Sequence, residues 1–407
     1  MELIEADHSL YDVLRRPALP QYDAVRPRAI ARCTSVEDVI KALASARTAG
    51  LPVVPRGGGH CFAGRSSTTG LMLELSALST ISVDGRRATI GAGARLAQVY
   101  RGLEDFGLTI PAGCGPTVGI AGLTLGGGLG LLGRRYGLTC DRLIAATVVL
   151  ADGNVVTCDA ERDPDLFWAL RGAGGGQFGV VTSLTYDAVP SPTATRFSLT
   201  WPRGRAAELI AAWQSWAPDA PDELTASLSV TADGVRVFGA ADHPDFGALA
   251  DLDPDVELRD DLSWAELKAS FSEGGTEAGV VHSKSEFFQH PLPRDAVDRL
   301  LEAGCVLNFT PMGGAYNRVP AGATAFAHRA ERFLLEHVGP VRDAVRRSWA
   351  LAHPYASGHV YPNFPDLDLT DWAAAYHGAN YPRLLSVKQK YDPDRVFHCP
   401  QTIGGVR

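Results

Sequence analysis

The sequence predicts an α+β fold made of two intimately joined domains, and three observations carry that prediction. The chain has 407 residues, 45% hydrophobic and 21% charged, too long for one small core. Glycine clusters crowd its N-terminal half, at residues 57–59, 113–130 and 172–179. From Ser191 onward they thin out and tryptophans appear, at Trp201, Trp213, Trp216 and Trp264. The shift places a glycine-rich domain at residues 1–190 and a second domain at 191–358, with 359–407 returning to the first.

The elements follow in chain order. Ser35 with Asp38 three residues on resembles a capping box, opening a helix through Val39, Ile40, Leu43 and Ala46 that Gly50 ends. Residues 51–54 form a short apolar run, a buried strand feeding the segment Pro55-Arg56-Gly57-Gly58-Gly59-His60-Cys61-Phe62-Ala63-Gly64. A second helix is predicted over residues 94–106. Residues 147–150 and 155–158 flank Asp152-Gly153 as a hairpin. A short helix over 163–171 precedes the third glycine cluster.

Composition excludes several function classes. Net charge is 38 − 46 = −8 without a basic run, which argues against nucleic-acid and anionic-membrane partners. No stretch is long and apolar enough to span a bilayer, and the start Met1-Glu2-Leu3-Ile4-Glu5 is acidic where a secretory signal is basic and then apolar, so a cytoplasmic location is expected. Seven cysteines form no Cys-x-x-Cys pair, which speaks for reduced thiols and against zinc; no metal is expected.

The 55–64 segment carries the chemistry. Gly57, Gly58 and Gly59 lack Cβ atoms, so their amides can close on a pyrophosphate, with His60 beside the bound group. Taken alone, the loop also suits a tight turn with a structural histidine. Other nucleotide and hydrolase patterns are missing. The run Gly126-Gly127-Gly128-Leu129-Gly130 lies deep in the domain and not after a first strand, no Gly-Lys-Ser/Thr occurs, and neither a zincin His-Glu pattern nor a Gly-x-Ser-x-Gly elbow is present.

The glycine loop, then Thr117-Val118-Gly119-Ile120-Ala121-Gly122-Leu123-Thr124-Leu125-Gly126-Gly127-Gly128, then Asp163-Pro164-Asp165-Leu166-Phe167-Trp168-Ala169-Leu170-Arg171-Gly172 resemble, in this order, the FAD-binding domain of the vanillyl-alcohol oxidase (PCMH) type. Within that group the chain is similar to the berberine bridge enzyme-like oxidases. The likeness resumes at Tyr361-Pro362-Asn363-Phe364-Pro365-Asp366 and at Lys388-Gln389-Lys390-Tyr391-Asp392-Pro393. It implies a two-subdomain FAD-binding domain plus an α+β substrate domain with an antiparallel sheet.

The resemblance implies FAD as cofactor, bonded covalently through His60. A neutral imidazole nitrogen can attack the C8-methyl carbon once the oxidised ring has lost a methyl proton. Arg56, Gly57, Gly58, Gly59 and Gly64 would hold the pyrophosphate side, Gly115, Thr117, Val118, Gly119, Gly122, Gly127 and Gly128 would pass close to the cofactor, and Gly179 and Val180 would support the adenine. Family members often carry a second link from a cysteine in Cys-x-x-Val-Gly. Here Gly115 holds that position and Cys114 lies one residue earlier, which puts a Cys114 link in doubt. Val118 falls where a small residue suits O2 as electron acceptor.

Tyr361 is the candidate catalytic base and Asn363 its orienting partner. A free phenol, pKa about 10, is too protonated for that role, so the base reading requires a depressed pKa or a relay, and a tyrosine packed under the flavin is the other reading. Tyr376, Tyr316, His282 and Glu286 fall in pocket-lining segments of the family, and Thr324-Ala325-Phe326-Ala327-His328-Arg329 resembles its Thr-Ala-Phe-Pro-His-Arg turn with Ala327 in place of proline. The implied activity is oxidation of an alcohol, a sugar hydroxyl or a C–H beside a heteroatom in a small-molecule substrate of secondary-metabolite type, with O2 reoxidising the flavin to give H2O2. An acid in place of the tyrosine, with an apolar pocket, would favour oxidative cyclisation instead, and a further alternative keeps FAD as a structural ligand while the pocket binds a metabolite or guides a non-redox cyclisation. Substrate identity and oligomeric state are written in no motif.

Overall fold

The computed structural model describes residues 1–272 and 281–405. The first domain is built on two main sheets, with a two-stranded pair of Leu108–Thr109 and Val189–Pro190 beside them. In the smaller main sheet the strands Ala29–Arg32, Leu71–Glu74 and Val53–Arg56 run parallel in that spatial order, and Glu2–Ile4 is added antiparallel at the edge. The helix Val36–Ala49 makes the crossover, opened by Ser35 Oγ accepting from the Asp38 amide at 3.2 Å and closed by Gly50 at φ 61°. Val39, Leu43 and Ala46 pack this helix on the sheet in one buried cluster with Val53, Leu71 and Leu73. The predicted strand–helix–strand–loop order is therefore present, with the strand at Val53–Arg56.

The second sheet is antiparallel, in the order Ile81–Asp84, Arg87–Gly91, Val180–Asp187, Leu143–Val149, Val155–Asp159. Its last pair is the predicted hairpin, turned by Asp152, whose Oδ1 accepts from the Asn154 amide, and by Gly153 at φ 92°. The helix predicted over 94–106 spans Leu96–Glu104, and that predicted over 163–171 spans Pro164–Ala169.

The second domain is one seven-stranded antiparallel sheet, ordered Asp255–Leu262, Ala194–Trp201, Val235–Ala241, Thr225–Val230, Val306–Pro311, Phe333–Gly339, His282–Phe288. Side chains alternate between its faces. Phe197, Leu199, Val237, Leu228, Phe309, Leu335 and Phe288 share a core with Leu209 and Trp213 of the helix Ala206–Trp216, Leu300 of Arg294–Glu302 and Ala352 of Arg342–Ala352. The opposite face looks at the first domain: Thr225 Oγ1 donates to the Leu131 carbonyl at 2.8 Å, and Leu334 and Phe287 pack with Leu138, Phe326 and Tyr361.

The C-terminal segment locks onto the first domain. Leu384, Val387 and Tyr391 of the helix Tyr381–Tyr391 join the core that holds Leu166 and Trp168. Buried Lys388 donates to Asp392 Oδ2 at 2.7 Å and to the Phe397 carbonyl at 2.6 Å, and also to the Gln177 carbonyl in the third glycine loop. All seven cysteines are free thiols. No helix among the described residues is long and apolar enough to cross a membrane.

Candidate active site

Two glycine loops meet backbone to backbone. A Cβ on Gly58 would lie 2.2 Å from the Gly119 nitrogen, and one on Gly119 would lie 2.4 Å from the Gly58 nitrogen, so only glycine at both positions permits the crossing. The crossing brings His60 beside Thr117, with Nε2 and Oγ1 2.9 Å apart. Burial, and next the positive charge of Arg95, lowers the His60 pKa below its ordinary value, against a hydrogen bond at Thr117 that raises it. The imidazole is thereby held neutral.

Not every residue of the loop faces this crossing. The Arg56 guanidinium is buried and turned inward, donating to the carbonyls of Leu14, Arg15 and Ser66 and to Ser67 Oγ. Its side chain therefore has no arm left for a pyrophosphate, and the expected place of Arg56 in the pyrophosphate loop rests on its backbone. Gly64, at φ 65°, makes room for the Tyr22 ring, which a Cβ would meet at 2.5 Å, while Tyr22 Oη donates to the Phe62 carbonyl. Gly64 shapes the loop from behind.

The second crossing loop turns its cysteine away. Cys114 Sγ lies 3.5 Å from Lys268 Nζ, which also donates to the carbonyls of Ala112 (2.8 Å) and Gly113 (3.3 Å) and sits over the rings of Tyr100 and Trp264. The neighbouring Gly115 carries no side chain, and a Cβ there would stand 2.9 Å from Val118 Cγ2. Val118 thus covers the position where the family pattern has its cysteine.

The run 126–128 gives close approach on its protein side: Cβ atoms there would meet Asn363 Oδ1 at 2.1 Å, Phe326 Cδ2 at 2.9 Å and Thr139 Oγ1 at 2.3 Å. By contrast a Cβ at Gly122, Gly174 or Gly176 would meet nothing within 4 Å. Gly179 packs against Val148 and Val149, and Val180 pairs with Val149 in the sheet, so those two anchor the loop's far end.

Tyr361 and Asn363 come together as expected from their spacing, but the tyrosine is enclosed. Its hydroxyl accepts from the amides of Gly128 (3.0 Å) and Leu129 (3.1 Å) and from Asn363 Nδ2 (3.0 Å), and the residue is 2% exposed. Burial outweighs these donors and pushes the phenol up to about 12. The depressed pKa is not found, so a base role for Tyr361 falls to the relay alternative.

The other pocket-segment residues serve packing. Tyr316 Oη donates to the Gly130 carbonyl at 2.8 Å, and Tyr376 Oη bonds Asp366 and Gln401. Glu286 lies on the helix-covered face of the sheet, paired with His353 Nδ1 at 2.7 Å; His282 opens the same strand, half-buried.

Two groups escaped sequence reading, one assembled by strand register and one by contacts between loops distant in sequence. Asn308 and Ser285 stand opposite Glu336 on its two neighbouring strands, on the face turned to the first domain, and Ser283, opposite Val338, lies on the same face. The Glu336 carboxylate accepts from Ser283 Oγ at 2.7 Å and Asn308 Nδ2 at 3.3 Å, and burial raises its pKa. The second group is His328, Glu331 and His359, where no metal ligands were expected.

The residues present fit FAD: a bare-backbone crossing at Gly58 and Gly119, an imidazole of lowered pKa beside it, and open glycine edges at Gly122, Gly174 and Gly176 that a Cβ would fill. Two family models agree, one described as "FAD binding domain" over residues 27–159 and one as "Berberine and berberine like" over 360–404. The chain is 35% identical to the uncharacterized FAD-linked oxidoreductase YgaK of Bacillus subtilis (strain 168), over 94% of this chain and 92% of that one. The chain belongs to the berberine bridge enzyme-like FAD-linked oxidoreductases. Solved berberine bridge enzyme-like structures share its fold. BBE-like 1 of Physcomitrella patens superposes with a TM-score of 0.92 at 27% identity, covering 100% of this chain and 97% of that one. The glucooligosaccharide oxidase of Acremonium strictum, described as revealing a novel flavinylation, does so with a TM-score of 0.89 at 26% identity, covering 100% and 96%.

Proposed function

We propose that this chain is an oxidase that carries FAD covalently on His60, oxidises a hydroxyl or a heteroatom-adjacent C–H of a small polar molecule of secondary-metabolite type, and passes the electrons to O2 with release of H2O2. The observation that carries the reading is the His60–Thr117 pair. With Nε2–H donated to the threonine oxygen, the lone pair resides on Nδ1, and lowered basicity keeps that nitrogen unprotonated and nucleophilic. Bound FAD supplies a two-electron acceptor at this place. Attachment through His60 alone is the form that fits, because Cys114 is engaged by Lys268 and Gly115 has no thiol.

The chain's own residues then divide the work. Substrate lies against the sheet face bearing Ser198, Arg236, Ser229, Asn308, Glu336 and Ser283, a polar surface suited to hydroxyl-rich molecules. Loss of two electrons from a carbinol carbon is coupled to loss of its hydroxyl proton, and Glu336 accepts that proton; a carboxylate whose pKa is raised by burial is a stronger base than a free one. Asn308 and Ser283 hold the carboxylate in place. Tyr361 and Asn363 hold the 123–129 segment by hydrogen bonds, and proton transfer is given to Glu336.

An acid base also suits oxidative cyclisation, but the polar sheet face favours simple oxidation. The kinship with a glucooligosaccharide oxidase supports a sugar hydroxyl as substrate. A panel of oligosaccharides and alcohols in an oxygen electrode tests this: one H2O2 per product is expected, and conversion without oxygen uptake would overturn it.

A further inference from the structure

Beneath the active-site tyrosine lies a cluster that neither flavin chemistry nor the sheet core uses. His328, Glu331 and His359 each present one ligand atom, and these atoms all lie within 4.8 Å of one another. His328 is 1% exposed and Glu331 0%, so water does not satisfy them. Two of their atoms, His328 Nδ1 and Glu331 Oε2, are buried with no hydrogen-bond partner among the described residues. A buried polar atom left unpaired costs about 1–3 kcal/mol, more for a charged group. A single cation would satisfy both.

The surroundings are arranged as those of a metal ligand set. His328 Nε2 lies 2.9 Å from the Tyr376 carbonyl, an acceptor only, so this nitrogen carries the proton and the lone pair sits on Nδ1. Ligating histidines in metal sites donate their other ring N–H to a carbonyl or carboxylate in this way. Glu331 is oriented in turn: Gln289 Nε2 donates to its Oε1 at 3.3 Å, and Asn317 Nδ2 fixes its backbone carbonyl at 2.9 Å. His359 Nδ1 is 2.7 Å from Glu331 Oε1, and its ring stacks on His328 at 4.6 Å. Because its side chain is 34% exposed, His359 is the ligand free to close on an ion and the route by which solvent completes the coordination.

We propose that His328, Glu331 and His359 form a divalent transition-metal site, with zinc the favoured ion. Two neutral imidazoles and one carboxylate match the borderline ligands of Zn2+, with Co2+ as a spectroscopic substitute, and are too few oxygens for calcium or magnesium. The site ties the 324–332 turn to the residue two before Tyr361, and through the Tyr376 carbonyl to the helix Trp372–His377. Its role is to clamp the returning C-terminal segment. It involves no redox step and does not depend on flavin attachment.

The experiment is zinc titration of the purified full-length holoprotein after chelator treatment, read by bound zinc per chain and by thermal midpoint. The wild type is expected to take up one zinc and to gain thermal stability. His359→Ala, at a half-exposed position, and the near-isosteric Glu331→Gln are expected to weaken binding by more than about a hundredfold while the flavin spectrum stays that of the wild type. In the zinc-loaded wild type, X-ray absorption is expected to show two imidazole ligands. Failure of the wild type to bind one zinc at micromolar concentrations overturns the proposal, and so does equal binding by His359→Ala and Glu331→Gln.

Discussion

His60 Nε2 stands 2.9 Å from Thr117 Oγ1, across a crossing that only two glycines allow. In the proposed attachment Nε2–H donates to this hydroxyl, which leaves the Nδ1 lone pair as the nucleophile. Thr117→Val removes the acceptor at nearly constant volume. Flavin incorporation is expected to slow by roughly tenfold or less, the worth of one hydrogen bond of about 1 kcal/mol, and Thr117→Ser to restore it. Incorporation followed by in-gel flavin fluorescence during reconstitution checks this.

Cys114→Ala is expected to leave the flavin absorption spectrum and the protein-bound flavin unchanged, because its sulfur is turned to Lys268. A shifted visible spectrum in the variant would show a second attachment instead.

Glu336→Gln keeps the hydrogen-bonding shape of the carboxylate and removes its basicity. Turnover is expected to fall by about a hundredfold or more with flavin retained. In the wild type kcat/KM is expected to rise with pH through the raised pKa of this carboxyl and then level, since only its ionised form accepts a proton. Tyr361→Phe, by comparison, loses packing and a hydrogen-bond hub, so its thermal midpoint is expected to fall while the shape of the pH profile stays.

How far the sequence reaches is clear from these residues. The crossover helix, the hairpin at Asp152-Gly153 and the bare-backbone loop before His60 are legible because each rests on local signals: a cap, a turn pair, a run of glycines. Where the Arg56 side chain goes was not legible, because the three carbonyls that claim its guanidinium come from residues 14, 15 and 66. Tyr361 shows the same limit, since its pKa depends on an enclosure that no motif states. Glu336 and the His328–Glu331–His359 group were invisible for a different reason. Their partners are set by strand register and by contacts across as many as 53 residues, as between Glu336 and Ser283.

Glu286 gives the chain a pH-sensitive stability. Burial raises its carboxyl from 4.5 to about 8, a shift that Lys284 reduces and Asp366 adds to, with His353 as its direct partner. The folded state keeps a proton that the unfolded chain releases, so between pH 4.5 and about 8 stability falls as pH rises. Glu286→Gln is expected to flatten that slope in thermal melts; an unchanged slope would assign it to other groups.

The buried Lys388–Asp392 pair joins the last helix to the third glycine loop. Removing one partner strands the other charge, so Lys388→Met is expected to lower stability by about 3–5 kcal/mol in denaturant unfolding.

The intact mass of the protein after denaturation, for wild type and His60→Ala, tests the central claim most directly. The wild type is expected to be heavier than its polypeptide by one FAD, and His60→Ala to show the bare polypeptide mass. A yellow wild-type protein that releases all its flavin on denaturation, or a His60→Ala protein that retains the FAD mass, would contradict attachment through His60.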